Sequence, residues 1–135
     1  MAITCEKVEQ IILFLANRPG VLADVCGHLA DRKVNIRAIT TVEATEAGVI
    51  RLVVDQPQLA KQILSEAGVT YTTSECLVLE MPNHPGGFAR IARLLAYQGI
   101  NIDYIYATTT PSAPAALGIL GVSDLGRALT VDWAG

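Results

Sequence analysis

Charge is scarce in this sequence. Only 17% of its 135 residues are Asp, Glu, Lys or Arg, against about a quarter in an average soluble domain. Apolar residues make up 51%. Either much surface is buried between parts of the chain or the chain associates with copies of itself, and a homodimer is expected. The net charge is −3 and the basic residues are scattered, which excludes a nucleic-acid footprint. The cysteines are Cys5, Cys26 and Cys76, far apart and without a CxxC pair. That pattern excludes a disulfide framework and a zinc site, and it suits a reducing cytosol. No apolar run approaches membrane-spanning length and the first residues carry no signal-peptide pattern, so a cytoplasmic protein without membrane contact is expected. A glycine-rich phosphate loop is missing, and Ser65, Ser74, Ser112 and Ser123 have no elbow or base nearby. Neither a catalytic set, a cofactor nor a metal is expected.

What is present is a corner that occurs twice. Asn17-Arg18-Pro19-Gly20-Val21-Leu22 follows the apolar run Ile11–Leu15 and opens an amphipathic run, Leu22 to Ala30. Asn83-His84-Pro85-Gly86-Gly87-Phe88 repeats it after Leu77–Met81, a run broken only by Glu80. A strand feeding a helix through a Pro-Gly corner leaves backbone N–H groups free at the helix N-terminus. These, with the helix dipole, favour an anion such as a carboxylate. Gly20 lacks a Cβ and lets a ligand approach its backbone. With a shift of 66, residues 17–40 align on 83–106 without a gap, and nine of the 24 positions are identical. A period this long means two copies of a small domain rather than a solenoid.

Taken in order, Met1–Lys7 reads as a lead-in and Val8–Leu15 as a central strand, since Ile11–Leu15 shows no alternation. A helix over Gly20–Arg32 buries Leu22, Val25, Cys26, Leu29 and Ala30. Strands are expected at Asn35–Val42 and Val49–Asp55, joined by a turn at Glu43–Gly48. Asp55 caps a second helix with Pro57 in its first turn; Leu59, Ala60, Ile63, Leu64 and Ala67 face inward and Gly68 ends it. A fourth strand, Val69–Thr73, runs without a linker into Cys76–Met81, the first strand of the second copy. The domains are thus 1–74 and 75–135. The second differs in a longer loop at Thr108–Ala116, a helix reduced to Leu125–Leu129, and a tail, Thr130–Gly135, too short for a clear fourth strand. An open sheet edge there needs covering. The fold class is α+β: two β-α-β-β-α-β units, each an antiparallel sheet with helices on one face.

Strand, Asn-Arg-Pro-Gly-Val-Leu, helix, then Val-Asn-Ile at the next strand resembles the ACT domain, and the resemblance extends over nearly the whole chain, twice. Its strength lies in the second asparagine, 15 residues after Gly20 and again after Gly86. The resemblance implies a ferredoxin-like fold and allosteric binding of a free amino acid at an interface between ACT units. In the serine-binding branch the loop asparagine matches Asn17 and Asn83, and the strand asparagine matches Asn35 and Asn101. That branch carries a histidine two residues before the loop asparagine, where this chain has Leu15 and Met81. The departure points to an apolar or branched ligand rather than serine.

The expected contacts are the two corners, residues 17–22 and 83–88, with Asn35-Ile36 and Asn101-Ile102. Each has a plainer reading. The glycines permit a turn, and the asparagines cap, turn or open a strand. Arg18 is a solvated charge, His84 an ordinary surface histidine, Cys26 a small core hydrophobe, and Trp133 an anchor for the tail. Within one copy the two asparagines are 18 residues apart, separated by a helix about 20 Å long at 1.5 Å per residue. If both touch one ligand they come from different copies, pairing Asn17 with Asn101 and Asn83 with Asn35. Two other functions stay open. One is a small hydrolase of acyl phosphates using Arg18 and Asn35, although the second copy has His84 in place of the arginine. The other is a dimerisation module without a ligand.

Overall fold

The computed structural model describes residues 3–42 and 47–133. Its elements are β1 (Thr4–Ala16), α1 (Val21–Asp31), β2 (Ile36–Val42), β3 (Ala47–Val54), α2 (Pro57–Glu66), β4 (Tyr71–Pro82), α3 (Gly87–Tyr97), β5 (Ile102–Thr108), β6 (Ala115–Val122) and α4 (Leu125–Ala128). The expected turn at Glu43–Gly48 falls, for residues 43–46, outside the described residues. The chain divides into two units: residues 9–74, and residues 3–8 together with 75–133.

In the first unit the strands lie in the order β2-β3-β1-β4, the last position taken by Tyr71–Ser74. β1 and β3 run antiparallel with Leu13 opposite Ile50 and Leu15 opposite Gly48. Alternate residues of these strands, Ile11, Leu13, Leu15, Ile50, Leu52 and Val54, form one core with Val25 and Leu29 of α1 and Ala60, Ile63 and Leu64 of α2. The period of two in the strands and the near-four spacing in the helices put both helices on one face of the sheet. Ala30 and Ala67, expected on the buried faces, are exposed, and Phe14 is 46% exposed although its strand is central. A Lys61–Glu9 ion pair at 2.7 Å ties α2 to β1.

The second unit repeats this plan. Its order is β1-β4-β6-β5, with Thr4–Val8 in the first position and Glu75–Pro82 in the second. Leu79 faces Gly118 and Met81 faces Ala116 in antiparallel register. Leu77, Leu79, Met81, Ile91, Leu95 and Leu120 make the core, with Ile3, Ala128 and Trp133 added from the two ends of the chain.

The boundary therefore differs from 1–74 and 75–135. Residues 4–7, read as lead-in, are strand, and with Val8 they belong to the second unit. The physical reason is the sheet edge beside β4. After α4 no further strand occurs among the described residues, so Thr4–Val8 lies beside β4 where a fourth strand would be. The tail instead folds back. Trp133 Nε1 donates to Ala128 O at 3.1 Å and Ile3 N donates to Trp133 O at 3.4 Å. Trp133 is the anchor expected of it. The two strands expected at Val69–Thr73 and Cys76–Met81 are one continuous strand, β4.

Two caps also differ from expectation. Asp55 does not cap α2; its Oδ1 accepts from Asn35 N at 2.9 Å, and Gln56 occupies the N-cap without a side-chain bond. At α4 the cap is made, with Asp124 Oδ1 accepting from Arg127 N at 3.0 Å. Leu94, partly buried, packs on the core of its own unit.

Candidate functional site

The two corners have the same backbone. Gly20 stands at the N-cap of α1 with φ 90° and Gly86 at that of α3 with φ 96°, the left-handed region that favours glycine. Arg18 N donates to Ala16 O at 3.0 Å, and His84 N donates to Pro82 O at 3.0 Å. Neither helix has a side-chain cap; Val21 N and Gly87 N donate back to Arg18 O at 3.5 Å and His84 O at 3.2 Å, and the next two N–H groups of each first turn are left for other acceptors.

At the first corner this geometry borders a cleft of about 350 Å³, lined by Leu15, Ala16, Asn17, Arg18, Leu22, Thr41, Val42, Gly48 and Ile50. Each wall has a local cause. Leu15 ends β1 opposite Gly48, which offers no side chain to fill the gap. Leu22 comes from the first turn of α1, and Thr41 and Val42 from the end of β2. One rim is thus polar, with an amide and a guanidinium, and the floor is apolar. A zwitterion with an aliphatic side chain has matching chemistry, since guanidinium and N–H groups bind carboxylate. A shallower depression of about 400 Å³ adjoins it, with Leu15, Ala16 and Arg18 common to both and Val21, Asp24 and His28 on its walls.

The other expected site residues separate into groups. Asn35 lies beyond the eleven residues of α1, about 16 Å of helix from the corner, and does not line the cleft. Its N–H is held by Asp55, as the N–H of Asn101 is held by Ser123 Oγ at 2.9 Å. The Asn101 amide donates to Asp103 Oδ1 at 3.0 Å. Ile36 and Ile102 pack on the cores of their own units. Pro19 and Gly20 shape the corner without lining the cleft. Pro85 and Phe88 are exposed, Phe88 at 43%.

Asn83 has a structural role. Its Nδ2 donates to Thr110 O and to Ala113 O, both at 2.9 Å, so both amide hydrogens clasp the β5–β6 loop. His84 Nδ1 lies 2.9 Å from Pro85 O, a bond inside its own loop. Gly87 is buried against Met81. The cleft residues that sequence reasoning missed are Ala16, Thr41, Val42, Gly48 and Ile50. Only the pairing register, with a glycine opposite the last core residue of β1, could have pointed to them.

Other chemistry is sparse. No cluster of three metal-ligating side chains occurs among the described residues. No helix among them is long and apolar enough to cross a membrane. Burial pushes the Cys5 thiol up to about 11, with Glu6 adding to the effect, and burial also raises Cys26. Both thiols are held protonated at neutral pH and are poor nucleophiles. Cys26 is only half-buried and is no member of the core.

A family model described as an ACT domain pair matches residues 6–116. No curated protein matches the chain. Among solved structures, protein BT0572 from Bacteroides thetaiotaomicron superposes with a TM-score of 0.86 at 24% identity, covering 93% of this chain and 85% of that one. The ligand-free regulatory subunit of aspartate kinase from Thermus thermophilus gives 0.69 at 19%, covering 96% and 93%. A putative C-terminal regulatory domain of aspartate kinase from Porphyromonas gingivalis gives 0.59 at 13%, covering 95% and 91%. At these identities the likeness is one of fold. With the family model spanning most of the sequence, the chain belongs to the ACT domain pair family.

Proposed function

We propose that the protein is a regulatory module that binds a free α-amino acid at its first corner, with binding rather than turnover as its activity. The observation that carries this reading is the cleft itself, with Asn17 and Arg18 at one rim and Leu15, Leu22, Val42 and Ile50 around an apolar floor. The carboxylate meets Arg18 and the N–H groups of the corner, and the aliphatic side chain lies on the floor. Leucine, isoleucine or valine suits this division better than serine. Family membership and the regulatory parts of aspartate kinases among the similar structures support a regulatory role. In this reading a homodimer closes the site, with Asn101 supplied by another ACT unit. Affinity lies in the micromolar to millimolar range, about −8 to −4 kcal/mol.

The test is calorimetry with the twenty common amino acids, run beside an acyl-phosphate turnover assay. Saturable heat with an aliphatic amino acid and no turnover is the expected result. Asn17→Ala and Asn101→Ala should each weaken binding about five-fold to a hundred-fold, the loss of one side-chain hydrogen bond to a buried ligand. Absence of heat with all twenty, or turnover of acyl phosphate, overturns the reading.

A further inference from the structure

We infer that the chain binds amino acid at one corner only, and that Met81 is the residue that closes the other. This rests on the reading of the first corner as an amino-acid site. The two corners share their backbone, and three of the positions at which they differ set the space beside it. Around the first cleft stand Leu15, Val21 close by, and Ile50. The strand registers and the shift of 66 place Met81, Gly87 and Gly118 at the equivalent points.

Two bulky residues are replaced by glycine while the third becomes a longer, flexible thioether. The thioether occupies the space so vacated. A β-carbon built on Gly118 would lie 3.2 Å from Met81 Cε, and one built on Gly87 would lie 3.7 Å from Met81 Cγ and 3.9 Å from Sδ. Met81 is 1% exposed, so its side chain is enclosed rather than folded over an open groove. Unbranched and polarisable, methionine is suited to filling such an irregular gap. A second observation agrees. The Asn83 amide has both hydrogens on the β5–β6 loop and offers none to a ligand. The second corner thus keeps the turn of a binding site and holds its own side chain in place of a guest.

The experiment counts equivalents and locates contacts on the full chain. L-leucine, L-isoleucine and L-valine are titrated first by calorimetry, followed by the remaining common amino acids. The amino acid that gives heat is then used for intermolecular NOEs to methyl-labelled Ile50 and Met81. Met1 is the only other methionine, so the Met81 methyl is readily assigned. The expected result is one equivalent per chain, with NOEs to Ile50 and none to Met81. Two equivalents per chain, or NOEs to the Met81 methyl, overturn this inference and leave the proposed function standing. No heat with any amino acid overturns both.

Discussion

The two copies share their helix geometry and differ in what fills the space beside it. Both first helices begin at a left-handed glycine, and both end at a residue of positive φ, Lys33 at 61° and Gly99 at 69°. The closing bonds also match. Val34 N donates to Leu29 O and Ile100 N to Leu95 O, each at 3.0 Å. Beside this common frame, one corner borders a cleft and the other is packed with Met81. Duplication fixes backbone geometry, because turns and caps depend on a few local residues. Whether a site is open depends on side-chain volume summed over strands distant in sequence, which can change without disturbing the turns.

The sharpest way to break this comparison is to truncate the filler. Met81→Ala should cost about 2–5 kcal/mol, the usual range for a buried methionine cut to alanine. The cost should exceed that of Leu15→Ala, whose side chain already borders open space. Urea denaturation of both variants checks it, and the reverse ranking would contradict Met81 as a packed filler. A smaller effect is expected for Asn83→Ala, which removes two hydrogen bonds at a partly exposed site and should cost about 1–2 kcal/mol. Amide exchange at Thr109, Thr110, Ser112 and Ala113 should quicken in that variant, and unchanged exchange would show that the clasp does not order the loop.

The smallest effect sharpens the likeness rather than the difference. Lys33 holds a conformation that glycine holds in the other copy, so Lys33→Gly should stabilise by about 0.5–1 kcal/mol. Gly99→Ala should destabilise by a similar amount. Thermal denaturation of the pair reads both signs, and the same sign in both would mean that the two helix ends are not equivalent.

These differences also mark how much was legible beforehand. The β-α-β-β-α-β pattern could be read because Ile11–Leu15, Leu59–Leu64 and the Pro-Gly corners carry it in short windows. The corner was legible as the turn that opens a helix for the same reason. The role of Asn83 was not, since its partners Thr110 and Ala113 lie about thirty residues away and nothing local signals them. Met81 read as an apolar wall of a site; only the register that sets Gly118 opposite Leu79 turns it into a filler. Residues 4–7 read as lead-in because so short a strand segment has little signature apart from the edge it covers.

That covering strand has a consequence for how the chain is made. During synthesis the residues of the first unit, 9–74, are all available well before β6 is, and that unit can form early. Thr4–Val8 emerges before the first unit, yet its neighbour in the second unit begins at Glu75 and that unit's core is not complete until Trp133. At ribosomal rates of roughly 5–20 residues per second, it waits for several seconds with its edge unpaired. The second unit is therefore closed by a segment made before the whole of the first unit. Cutting the gene between codons 74 and 75 would strand that segment on the wrong fragment.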